Sequence, residues 1–381
     1  MADTYIIDPD VGFIEEIAAL GGEDVKKCFQ CATCSVVCPI SPDNKPFPRK
    51  EMIAASWGLK DKLVGNADIW LCHNCGDCST KCPRDAKPGD VLSAVRSYAI
   101  AEYAVPKALA KAVNDPKKLP ILLAIPAVLF IVVGFITGLL DFSPELNAYG
   151  KIAHGEFFST WLVDLFMIPA SMFTTVVFAL GLMRFMKDIH ANAVKEGKTT
   201  KENINPVEFV KALIAIIPGI LKHDKFNECT ENTERSTQHL MVLFGFIGLF
   251  IVTGIFFVVL YIFGIHGPYS QLNPVKWLAN VAGVALVIGS GLMIKTRLGK
   301  TDQISAYKDW LLLGLVFGLG VTGMGSEMTR LAGFAGSTYF LYFIHLMLVF
   351  SLFVYLPYTK LAHLVYRTVA MAYAEYSNRG F

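Results

Sequence analysis

Apolar residues change their rhythm near position 119 of this 381-residue chain. Before that point, short amphipathic stretches alternate with polar or Gly/Pro-rich breaks. Residues 11–20 place Ile14, Ile17 and Ala18 on one helical face, and Gly21 and Gly22 end the stretch. A second helix is predicted over 49–63, after the Pro-rich breaker 39–48, and a third over 89–105. Beyond residue 119 the apolar runs are long enough to cross a bilayer. Spans are predicted at 119–140, 158–183, 240–265, 276–294, 310–325 and 337–358, and six crossings return both chain ends to one side. The run 206–221 is short and interrupted by Lys211 and Pro218, which suits an interfacial or re-entrant segment. Gly314 and Gly318 form a GxxxG pair, a signal for close helix packing in span five.

Composition supports a two-part chain. Hydrophobic residues make up 54% and charged residues only 17%, more apolar than a soluble protein. Residues 1–118 nevertheless carry 16 acidic and 15 basic side chains, so a soluble domain is expected there. The expected division is 1–118 and 119–381, with a polar loop over 185–235. Arg184, Lys187, Lys195, Lys198, Lys295, Arg297, Lys300, Lys360 and Arg367 all fall on the side of the first domain. The loops 141–157, 266–275 and 326–336 hold fewer Lys and Arg. The positive-inside rule therefore puts the first domain, the 185–235 loop and the C-terminus in the cytoplasm, with the bundle in the inner (cytoplasmic) membrane. The same loops explain the net charge of +2, and no basic patch for nucleic acid is present. The opening MADTYIIDPD has neither a basic n-region nor an apolar h-region, so the first domain is expected to stay in a reducing compartment.

Eight of the nine cysteines lie between Cys28 and Cys82, in two runs of the form CxxCxxCxxxCP. Three thiolates in such a loop can occupy three corners of an iron–sulfur cube, while the fourth, past a turn, reaches the neighbouring cube. This spacing assigns one 4Fe–4S cluster to Cys28, Cys31, Cys34 and Cys82, and a second to Cys72, Cys75, Cys78 and Cys38. Structural zinc is the competing reading, but zinc sites use paired CxxC hooks separated by a longer gap. His73 reads as a neighbour of the second site rather than a ligand, and Cys229 as an unpaired surface or interfacial thiol.

Histidines in apolar spans are costly unless they ligate, pair or face water. His345 lies in span six and His363 lies 18 residues later. If the helix continues through Pro357, both rings face the same way, about 27 Å apart, as two b-type haems stacked across a bilayer require. A hydrated interfacial position is the competing reading for His363. His239, at the inner start of span three, can oppose His363. His154 can oppose His345, in competition with His266. Arg235, one turn before His239, is a candidate partner for a haem propionate or a surface charge. Asp164 in span two is a candidate proton carrier at a quinol site or a structural hydrogen-bonding group, with His154 as a further proton acceptor. No nucleotide fingerprint of the strand–GxGxxG–helix kind and no hydrolytic triad is identified.

With these residues in place, the chain resembles the C subunits of quinone-interacting membrane-bound oxidoreductase (Qmo) complexes of sulfate-reducing microbes. It looks like a fusion of the iron–sulfur C and cytochrome b E subunits of heterodisulfide reductase. The carrying segments are the doubled cysteine run, ERSTQHLMVLFGFIGLF around His239, and HLMLVFSLFVYLPYTKLAHLVYR from His345 through His363. The membrane part is also similar to the cytochrome b subunit of respiratory nitrate reductases, in which one helix supplies two haem ligands 18 residues apart. In that family a second helix supplies partners ten residues apart. Here His239 matches the first, but Leu249 stands at the second, which makes His154 a substitute ligand. The resemblance implies an all-α fold: a ferredoxin-like two-cluster domain followed by a six-helix cytochrome b-like bundle. It also implies electron flow from menaquinol, through haems and clusters, to flavin- and iron–sulfur-containing A and B subunits and toward adenylylsulfate reductase. A ferredoxin-linked subunit working in the quinone-reducing direction is the alternative. CCG modules are missing, so this chain alone is not expected to reduce a disulfide.

Overall fold

The computed structural model describes residues 8–43, 45–141, 146–147, 150–224, 227–231, 234–299 and 307–378, so Lys300 of the positive set lies outside the described residues. Within them the structure is helical, with one isolated antiparallel bridge between Leu140 and Phe158. Helix α1 (Val11–Ile17) starts at Asp10, whose carboxylate accepts from the Phe13 N–H at 2.9 Å. The chain then winds through α2 (Thr33–Val36), α3 (Arg49–Ser56), α4 (Lys60–Val64), α5 (Asp68–Leu71) and α6 (Asp77–Thr80) to α7 (Pro88–Tyr103) and α8 (Lys107–Val113). The helix expected over 49–63 is therefore two. Gly58, at φ +68, turns between them, and a Cβ there would lie 2.7 Å from the Asp10 carbonyl oxygen.

The second part comprises α9 (Leu119–Thr137), α10 (His154–Phe157), α11 (Thr160–Lys195), α12 (Pro206–Lys222), α13 (Glu234–Tyr261), α14 (Pro274–Gly299), α15 (Tyr307–Leu331), α16 (Ala335–Tyr355) and α17 (Ala362–Tyr376). Six of these, α9, α11, α13, α14, α15 and α16, are long and apolar enough to cross a membrane, the arrangement of a multi-pass membrane protein. Helix α12 is not among them and packs on α17. Close glycine contacts join α13 to α14 and α14 to α15. A Cβ at Gly289 would lie 2.8 Å from the Met241 Cβ, and one at Gly320 would lie 2.7 Å from Val287. Of the GxxxG pair, only Gly318 faces a neighbour, Leu348, while Gly314 opens onto free space.

Two departures from expectation position the site. First, α11 has 36 residues, about 54 Å of helix, and so outruns a hydrocarbon layer of about 30 Å. Its last turns dock on the first domain: the Tyr103 hydroxyl donates to Asp188 at 3.0 Å, and Asn192 donates to the Asp61 carbonyl at 2.8 Å. Phe185 and Ile189 enter the core around Trp70, so the expected loop 185–235 begins as helix. Second, the helix does not continue through Pro357. Proline has no N–H to bond the carbonyl four residues back, and that carbonyl, of Phe353, accepts from the Thr174 hydroxyl at 2.5 Å instead. A short 3₁₀ turn follows and α17 starts afresh, so His345 and His363 belong to different helices. Ala362, Tyr366, Ala370 and Tyr373 of α17 sit in the core of the first domain.

Candidate metal centre

The two cysteine runs follow the same backbone path. Two residues after the first cysteine of each, Gln30 (φ +67) and Asn74 (φ +53) are left-handed. Two residues further on, so are Ala32 (φ +67) and Gly76 (φ +104). Helices α2 and α6 start at the matching next positions. Such left-handed steps turn successive N–H groups toward one point, as anion-binding loops do. Cys28, Cys31, Cys34 and Cys82 line a single cavity, together with Arg49, Arg84 and Ala86. Burial, followed by the charges of Cys28 and Cys31, pushes the Cys34 thiol up to about 11. Cys38 instead feels the second run: burial, then Cys72, pushes it up to about 12. Cys78 is raised by burial, then by Cys72, Cys75 and Cys38. Cys34, Cys38 and Cys78 thus resist ionising beside their neighbours, and a cationic centre would hold them as thiolates, which fits iron. Backbone N–H groups already point at two of the sulfurs, Asn74 to Cys72 and Ala86 to Cys82, both at 3.3 Å.

The second run faces the membrane part. The Arg96 and Arg367 guanidiniums both donate to the Cys72 carbonyl, at 3.3 and 3.2 Å. Arg367 also reaches the ring nitrogens of His73, at 2.8 and 3.0 Å. Burial, then the Arg367 charge, holds His73 well below its ordinary value, so it accepts as a neutral ring. Trp70, fully buried, stacks on His363 with ring centroids 5.7 Å apart, and its indole nitrogen has no hydrogen-bond partner among the described residues. Burial keeps His363 neutral as well. Cys229, expected as an unpaired surface or interfacial thiol, is instead 2% exposed and lies against Cys75 and Asp77.

Residues 24–86 match the 4Fe-4S dicluster domain family. The chain is also similar to the C subunits of the H(2):CoB-CoM heterodisulfide,ferredoxin reductases of Methanothermobacter thermautotrophicus and Methanothermobacter marburgensis. Each is 38% identical over 91 residues, 24% of this chain and 49% of the relative. A protein of Archaeoglobus profundus that is itself like the heterodisulfide reductase C subunit is 35% identical over 92 residues, with the same coverage. The chain thus spans about half the length of the curated relatives it matches. No solved structure matches. The dicluster domain marks the chain as an iron–sulfur electron-transfer subunit.

Candidate residues of the membrane part fall into two groups. His239 Nδ1 lies 2.8 Å from His223 Nε2, and His223 Nδ1 lies 2.9 Å from the Ile220 carbonyl oxygen. His345 Nδ1 lies 3.0 Å from the Thr322 hydroxyl, and His154 Nε2 lies 2.8 Å from the Ser326 hydroxyl one turn along α15. His266 is exposed, and Arg235 is half-buried in the first turn of α13. Asp164 is half-buried and accepts the Tyr261 hydroxyl. The sequence reading missed His223, Trp70 and the hydrogen bonds of Arg367. A signal existed for Arg367, which lies one helical turn after His363.

Proposed function

We propose that this chain is the membrane subunit of a quinol-oxidising complex. Electrons pass from menaquinol through two b-type haems and two 4Fe–4S clusters to flavin- and iron–sulfur-containing A and B subunits, and toward adenylylsulfate reductase. The first domain and the C-terminus face the cytoplasm. The observation that carries this reading is the α17 interface. His363 stacks on Trp70, and Arg367, on the same helix, donates to the Cys72 carbonyl. A candidate haem ligand and a candidate cluster ligand are thereby held in one packed contact.

The residues fit the groups they would hold. Cys28, Cys31, Cys34 and Cys82 would bind one cluster, and Cys38, Cys72, Cys75 and Cys78 the other. His239 and His363 would hold the inner haem, and His345 and His154 the outer. The hydrogen-bond pattern supports this. His223 spends its Nδ1 proton on the Ile220 carbonyl, so its Nε2 accepts from His239, which leaves His239 Nε2 free for a metal. Thr322 likewise donates to the Gly318 carbonyl at 2.7 Å and accepts from His345 Nδ1, which frees His345 Nε2. A propionate acceptor would satisfy the orphaned Trp70 N–H, and Arg235 would pair with another. Asp164 would take a quinol proton, and His154 would do so only if it is not a ligand. Bound clusters and haems would supply one-electron carriers.

The test is an anaerobic optical and EPR spectrum of the purified assembly before and after a menaquinol analogue is added. Reduction of b-haem bands and cluster signals supports the reading. Carriers that dithionite reduces but the quinol analogue does not would reject it.

A further inference from the structure

The connection between α12 and α13 returns from the membrane part to the second cysteine run. Asp77, two residues after Cys75, clamps it: one carboxylate oxygen accepts from the Glu231 N–H at 2.7 Å and the Thr230 hydroxyl at 3.2 Å, the other from the Thr230 N–H at 3.1 Å. This clamp holds Cys229, 2% exposed, so that the ligating atoms of Cys75, Asp77 and Cys229 all lie within 4.8 Å of one another. The second run already has its fourth thiolate in Cys38, so Cys229 is surplus to a four-cysteine cube.

We propose that Cys229 is a positioning residue for the second cluster: its thiol donates a hydrogen bond to the Cys75 sulfur and raises that cluster's reduction potential. The inference rests on the cluster reading above. Donor and acceptor are distinguishable. A ligating Cys75 would be a thiolate with no proton to give, so the S–H of the pair belongs to Cys229, which the clamp holds beside it. Reduction adds one electron, much of its charge carried by the sulfurs. A donor aimed at one sulfur stabilises the reduced form more than the oxidised form. Burial strengthens the effect, because little water competes for the sulfur. In the first run the matching cysteine, Cys31, is exposed and has the Thr33 hydroxyl beside it, at 3.2 Å.

The test is an EPR-monitored redox titration of the full complex carrying Cys229→Ser, Cys229→Ala or Cys229→Val. Both cluster signals should survive in all three. The second cluster's midpoint should fall in the Ala and Val variants and stay near the parent value in Ser, which keeps a donor, while the first cluster does not move. An unchanged midpoint in Cys229→Ala overturns the proposal, as does a Ser variant that falls as far as Ala, since volume or packing would then be the cause. Loss of the cluster itself in Ala and Ser overturns it in favour of ligation. A parent complex with no second cluster signal sinks the cluster reading instead, and the inference with it.

Discussion

Cys31 is exposed, whereas Cys75, its counterpart in the second run, is 8% exposed. The left-handed positions and helix starts of the two runs match, so the difference comes from what packs on them. The position after the first cysteine shows it: Phe29 points into solvent in one run, while His73 accepts from Arg367 in the other. Around the first run, Val36 is 82% exposed and apolar, and Arg49 and Arg84 line an open cavity. Around the second, α17, α7 and the 227–231 connection close the site. Two copies of one motif therefore become an inner and an outer station. The inner one is joined to the membrane helices, and the outer one keeps Phe29, Cys31 and Val36 exposed.

The largest expected effect tests whether the runs exchange ligands. Cys38→Ser should abolish the EPR signal of the buried second cluster and leave the first. If it abolished the first instead, each run would own its fourth cysteine and the crossing would be wrong. The next effect tests whether the inner station meets a haem. His363→Ala should remove one of two haems per protein, with loss of its low-spin EPR signal, while both clusters remain. His154→Ala should remove the other and His266→Ala neither. Full haem in His154→Ala with loss in His266→Ala would exchange the roles of those two residues.

Much of this arrangement is legible locally. Span length and apolar content mark six crossings, and the CxxCxxCxxxCP spacing needs no tertiary knowledge. The inner station is different because its walls come from distant segments. Nothing near Cys229 announces that Asp77 will hold its loop. His223 reads as the end of an amphipathic helix until His239 is seen beside it. Pro357 does carry a local signal, a helix breaker, but haem-ligand spacing across it favoured continuity. The break sends α17 out of the bundle and onto Trp70, and only packing could decide between the two.

A smaller effect separates the stations electrostatically. Arg367→Met keeps most of the apolar stem and removes the charge near Cys72. The second cluster's midpoint should fall, because a nearby cation favours the more negative reduced form, and the first cluster's should barely change. Equal shifts in both would mean that the two sites share one electrostatic environment.

The smallest effect concerns acids behind the two stations. Near the first run, Asp24 pairs with Lys27 at 2.6 Å and Lys87 at 3.5 Å, and the hydrogen bond from Lys27 chiefly holds it below the ordinary carboxylate range. Behind the second, Glu51 and Asp68 are 1% and 0% exposed, and Lys50 lies 2.5 Å from Asp68 but 3.7 Å from Glu51. Burial, then the Asp68 charge, pushes Glu51 up to about 8. The two acids therefore act in opposite directions on stability. Asp24 contributes stability that is present above its unfolded value and lost as pH falls through its lowered folded value. For Glu51 the folded state keeps a proton that the unfolded state has released, so stability declines as pH rises from about 4.5 to about 8 and then levels off. Glu51→Gln imitates the protonated acid at every pH. Its advantage over the parent should therefore grow across that window, to on the order of a few kcal/mol at most. The thermal midpoint for bleaching of the cluster absorbance, read at several pH values, measures it. A difference between variant and parent that does not change with pH would mean that Glu51 is ionised in the folded protein, and the contrast between the two stations would then stop at the cysteines.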